Sequence, residues 1–106
     1  MVDVDGRIIR KINTLLNYTD LPRFELIKRK SWAYEKEGAK VYLFSDPGES
    51  GAMLVAVFVG RNASLEYSIV EDGIYKKTTF DFIKEGRGYF VSKKNFSTEK
   101  KEERHK

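Results

Sequence analysis

The stretch Leu65-Glu66-Tyr67-Ser68-Ile69-Val70-Glu71-Asp72-Gly73-Ile74-Tyr75-Lys76-Lys77-Thr78-Thr79-Phe80 decides the fold. Leu65, Tyr67 and Ile69 alternate with Glu66, Ser68 and Val70, the period of two that sends successive side chains to opposite faces of a strand. Asp72-Gly73 supplies two residues that tolerate positive φ, which a two-residue hairpin turn requires. That turn sets a register. Glu71 faces Ile74 and Val70 faces Tyr75; further out, Tyr67 faces Thr78 and Leu65 faces Phe80, an apolar row on one side. The other side sets Glu66 beside Thr79 and Ser68 beside Lys77.

Working outward, turn residues recur every several positions. Gly86-Arg87-Gly88 separates a strand at 74–84 from another at 89–95, although Phe80 to Gly86 also fits a short helix closed by a glycine. Upstream, Gly60-Arg61-Asn62-Ala63 turns the chain before residues 52–59, which are apolar at both parities. Such a run predicts a central strand covered on both faces. Residues 24–35 and 40–45 read as two more strands around Lys36-Glu37-Gly38-Ala39, with a loop at Asp46-Pro47-Gly48-Glu49-Ser50-Gly51.

Only the beginning carries helical spacing. Ile8, Ile9, Ile12, Leu15 and Leu16 form one stripe, with Arg7, Arg10, Lys11 and Asn13 opposite. Asp3 or Asp5 can cap the first turn and Pro22 blocks continuation, which gives a helix over residues 5–18. The expected fold is α+β: one N-terminal helix packed on a five- or six-stranded antiparallel meander sheet, either open or partly closed as a barrel. Residues 1–96 form a single domain, and the charged stretch 97–106 is expected to be a disordered tail.

Composition narrows the chemistry. The chain has no cysteine, which excludes disulfides, thiolate zinc sites and thiol nucleophiles. Its single histidine, His105, lies one residue from the end of the sequence, too far from any rigid centre to serve a serine or a metal. Met1-Val2-Asp3-Val4-Asp5-Gly6 imitates the start of a calcium loop, but Ile12 stands where the bidentate glutamate belongs. The glycine-rich loop at 46–51 lacks the lysine and helix of a phosphate loop. No apolar run approaches the ~20 residues of a membrane helix and no signal segment is visible, so a cytoplasmic protein without a membrane partner is expected. No cofactor is expected.

The net charge of +4 is unevenly spread. Residues 1–35 carry +2, 36–72 carry −3, 73–98 carry +4 and 99–106 carry +1. Basic residues interleave with aromatics in Lys28-Arg29-Lys30-Ser31-Trp32-Ala33-Tyr34, in Tyr75-Lys76-Lys77 and in Arg87-Gly88-Tyr89-Phe90-Val91-Ser92-Lys93-Lys94. Nucleic-acid platforms use this mixture because cations meet phosphates while rings stack on bases. The leading expectation is a non-enzymatic binding module contacting nucleic acid through Lys28, Arg29, Lys30, Tyr75, Lys77, Arg87, Lys93 and Lys94. Trp32 itself is expected in the core. The segment from Trp32-Ala33 to Lys40-Val41-Tyr42-Leu43-Phe44-Ser45-Asp46-Pro47 resembles a hairpin of small archaeal chromatin proteins in which a tryptophan touches DNA, a likeness confined to that hairpin.

The rival expectation is a protein-binding module, an inhibitor, immunity-type or assembly factor. It would use a sheet edge or the acidic middle, Glu37, Asp46, Glu49, Glu66, Glu71 and Asp72. An acid-based metal hydrolase is a third reading and needs two or three of these acids to converge.

Overall fold

In the computed structural model, residues 5–21, 30–45 and 51–100 are described. Helix α1, Gly6–Leu16, begins where expected: Asp5 accepts a hydrogen bond from the Arg7 backbone N–H at 2.9 Å, satisfying one of the unpaired donors of the first turn. It ends at Asn17, and the Thr19 hydroxyl then donates to the Leu16 carbonyl at 2.7 Å and accepts from the Leu21 N–H at 3.2 Å. Six strands follow: β1 Lys30–Lys36, β2 Ala39–Ser45, β3 Met53–Val59, β4 Asn62–Glu71, β5 Ile74–Glu85 and β6 Gly88–Lys100.

The strands pair in sequence order, each antiparallel to the last, as one open sheet with β1 and β6 at its edges. A meander of this kind is the cheapest topology for a chain whose turns are all local. Four hairpins close with two residues each, at Glu37-Gly38, Gly60-Arg61, Asp72-Gly73 and Gly86-Arg87. At the Asp72-Gly73 turn both residues have positive φ, 54° and 75°, the twist that matches flanking strands. Its register is the expected one, with Leu65 opposite Phe80 and Glu66 opposite Thr79. Residues Phe80 to Glu85 continue β5 and form no helix; Phe80 and Phe82 both point to the helix side, their rings 6.3 Å apart.

The core lies between α1 and one face of the sheet. Ile12 and Leu15 are fully buried against Phe44, Leu54, Ala56, Ala63, Leu65, Phe80 and Phe82. Ala56 and Ala63 leave room for the helix in the middle strands, while larger residues rise around it. Burying one such Ile or Leu side chain contributes about 1.5–3 kcal/mol. Lys11 extends from the helix over the Phe58 ring at 4.6 Å, and Tyr18 leans on Phe82 at 6.5 Å.

Two expectations need correction. Residues Ser97 to Lys100 are not a tail, because they extend β6 opposite Lys77 to Ile74; residues 101–106 lie outside the described residues. Nor do the described residues cover β3 on both faces. Leu54, Ala56 and Phe58 meet the helix side, but no described element lies over Met53, Val55, Val57 and Val59, which are half-buried or exposed. These four are shielded only sideways, by their neighbours in the sheet.

Candidate functional site

Alternation places a second set of side chains on the uncovered face, and the register orders them. One row across the six strands reads Trp32, Leu43, Val55, Glu66, Thr79 and Asn95. The next reads Tyr34, Val41, Val57, Ser64, Asp81 and Lys93. The face is thus divided in two. Over β1 to β3 it is apolar and uncharged at its centre, whereas over β4 to β6 it is polar with charges of both signs.

Trp32 is 41% exposed and Tyr34 53% exposed, side by side on the same face of edge strand β1. Trp32 is therefore not a core residue. Ser31 and Ala33 take the helix side of β1, and nothing described lies over the side that Trp32 occupies. Val41 escapes exposure, at 8%, because it sits between Tyr34 and Val57 in the row. Phe90, opposite Ile83, adds a third exposed ring at the far edge of this face.

The expected nucleic-acid residues divide between the two sides of the sheet. Tyr75, Lys77 and Lys93 share the uncovered face with Trp32 and Tyr34. Lys94 points the other way, where its ammonium donates to Asp20 at 3.0 Å and lies 5.3 Å from the Phe80 ring centroid. That contact ties β6 to the segment leaving α1, and it holds the Asp20 carboxyl below its ordinary pKa of 3.8. Arg87 stands exposed in the β5–β6 turn. Lys28 and Arg29 lie outside the described residues, as does the side chain of Lys30, whose backbone opens β1 opposite Ser45.

A group of which the sequence reading named only Arg87 lies at the end of the sheet formed by the Glu37-Gly38, Gly60-Arg61 and Gly86-Arg87 turns. Lys36, Lys40, Arg61, Lys84 and Arg87 are all exposed there, and none is ion-paired among the described residues. Arg61 and Lys84 are drawn together by the backbone: the Lys84 N–H donates to the Arg61 carbonyl at 2.9 Å, and the Arg61 guanidinium donates to the Lys84 carbonyl at 3.2 Å. Successive turns of a meander alternate between its two ends, and that alternation is the signal in the sequence that brings these cations together.

The described acidic residues do not converge. Glu37 lies at that same end, Glu71 and Asp72 lie at the opposite end, and Glu66 sits mid-strand on the uncovered face. Asp46 and Glu49 lie outside the described residues. Among the described residues no group of three acids or histidines stands close enough to hold a metal ion. A hollow of about 340 Å³ opens on the uncovered face between Val57, Asn62, Ser64, Asp81, Ile83 and Ser92. A recess of about 520 Å³ on the helix side is rimmed by the Lys94–Asp20 pair and by Lys76–Glu71 at 2.9 Å. No helix among the described residues is long and apolar enough to cross a membrane. Comparison with protein-family models, curated proteins and solved structures finds no match for this chain.

Proposed function

We propose that this chain is a non-enzymatic binding module whose uncovered sheet face takes single-stranded nucleic acid. The observation that carries this reading is the adjacent pair of exposed rings, Trp32 and Tyr34, on the same face as Tyr75, Lys77 and Lys93. Bases stack on the two rings, and phosphates run past Lys36 and the other exposed cations at the turn end toward Lys93 and Arg87. Stacking suits a sheet because the pleat holds alternate rings level and leaves their faces free.

Trp32 is the sole tryptophan, so its fluorescence reports the site directly. Titration with a short oligonucleotide should quench it. Three or four phosphate contacts predict a log–log salt slope of about −2 to −3 for a single strand. Trp32→Ala and Tyr34→Ala should each weaken binding by about 1–3 kcal/mol, roughly 5- to 150-fold. An unquenched Trp32 at about 50 mM salt would end this reading.

A protein ligand is the second reading, favoured by one observation. Leu43, Met53, Val55 and Val57 make a continuous uncharged floor beside the two rings, the composition of an interface centre. Under that reading Val55→Lys abolishes partner capture, and oligonucleotides leave the Trp32 emission unchanged.

A further inference from the structure

We propose that two copies of this chain join edge to edge, β6 against β6, antiparallel about a twofold axis at Phe96. This does not rest on the proposed ligand. The outer edge of β6 is not paired to any described strand, and its side chains from Phe90 to Glu99 are all exposed. Phe96 is 60% exposed, the largest value among the apolar residues of the chain that are described. An open edge displays unpaired N–H and C=O groups and is a template for another strand.

The sequence of the edge selects the partner and the register. A bulge at Ser92, where the pairing steps from Asp81–Lys93 to Phe82–Val91, interrupts the ladder and limits a regular run to residues 93–100. Centred on Phe96, self-pairing sets Lys93 against Glu99 twice, Asn95 against Ser97 twice, and Phe96 against its own copy. Opposite charges and two rings then meet directly across the seam. Other registers lose this. Shifting the centre to Asn95 sets Lys94 against Phe96 and leaves Glu99 without a partner in the run. A centre at Ser97 sets Glu99 against Asn95 and leaves Lys93 unmatched, while a centre at Lys94 opposes two lysines. The complementarity belongs to a second copy of this strand.

Seven paired residues a side fall short of the roughly 1,200 Å² of a standard stable interface, so the dimer should form with rising concentration. Light scattering on the full chain from about 5 to 200 µM should show mass climbing from 12.3 kDa toward twice that value. Lys93→Glu should return the chain to monomer, and adding Glu99→Lys should restore the dimer. The Asp81 that faces Lys93 within the chain is unchanged in both variants, so recovery reports the seam and not the hairpin. Because the chain lacks cysteine, Phe96→Cys introduces a single thiol. Directly opposed residues lie about 4.5–5.5 Å apart at Cα, within disulfide range, so this variant should cross-link under mild oxidation. Thr98→Cys pairs with Lys94 of the other copy and should not. A wild-type mass fixed at the monomer over the whole range overturns the proposal, as does equal cross-linking of the two cysteine variants.

Discussion

Leu54 and Val55 are neighbours in β3 with opposite surroundings, and substituting each tests whether one face of the sheet is bare. Leu54 is fully buried beneath α1, so Leu54→Ala removes packed methyl groups and leaves a cavity, at a cost of about 2–5 kcal/mol. Val55 is half-buried on the uncovered face, between Leu43 and Glu66. Val55→Thr keeps the shape and the β-branch and exchanges a methyl for a hydroxyl. Half a methyl's transfer energy is about 0.4 kcal/mol, and water can satisfy the hydroxyl, so the total should stay below about 1 kcal/mol. Were the face covered, an unpartnered hydroxyl would add about 1–3 kcal/mol. Urea unfolding followed by circular dichroism separates the cases, because at any one slope of about 1–3 kcal/mol/M Leu54→Ala should lower the midpoint at least about twice as far as Val55→Thr. A Val55→Thr loss as large as that of Leu54→Ala would refute the one-sided packing, and with it the exposed platform.

Glu37 holds φ at 53°, a left-handed conformation that costs an ordinary side chain about 1–2 kcal/mol. Glu37→Asn should therefore stabilise the β1–β2 turn by about 0.5–1 kcal/mol, seen as a melting temperature higher by about 2–8 °C. The lowered carboxyl pKa of Asp20, caused first by its hydrogen bond from Lys94, means that the contact stabilises the fold above the carboxyl's ordinary 3.8 and fades as pH falls through the depressed value. Asp20→Asn should thus be less stable than wild type at pH 7, and the two melting curves should merge in acid; a difference that persists there would contradict the assignment. Asp81 lies on the uncovered face and its carboxylate makes no hydrogen bond or ion pair among the described residues, so Asp81→Asn should change stability by no more than about 0.5 kcal/mol. Oligonucleotide affinity should rise severalfold in the same variant at low salt, and an unchanged affinity would take the phosphate path away from β5 and β6.

The hairpin at Asp72-Gly73 was legible to the residue, because alternation and turn chemistry agreed there. The helix was legible for the same reason: its stripe, the Asp5 cap and Pro22 all point one way. Phe80 to Gly86 was ambiguous since Phe80, Phe82 and Ile83 satisfy both periods; only pairing with Tyr89 to Lys94 on one side and Asn62 to Leu65 on the other decides for a strand. The β6 extension was hidden because Ser97 to Lys100 has no apolar residue, and edge strands at the rim of a sheet need none. Lys93 and Lys94 could not be told apart as ligands without the register, which turns one to the open face and the other to Asp20.

Trp32 shows where reading apolar residues as core fails. The described residues form one helix of eleven residues, about 16 Å long, and a six-stranded sheet about 24 Å wide. Such a helix covers the middle of one face and none of the other. Apolar residues at both parities in β2 and β3 therefore cannot all be buried by this chain's described elements, whatever the register. The surplus has to collect on the side away from α1, and the strand with small residues at alternate positions, Ser31 and Ala33, shows which of its side chains face outward. Trp32 and Tyr34 are exposed by that geometry. Rings, a valine floor and cations at one end thus share the face that α1 leaves bare.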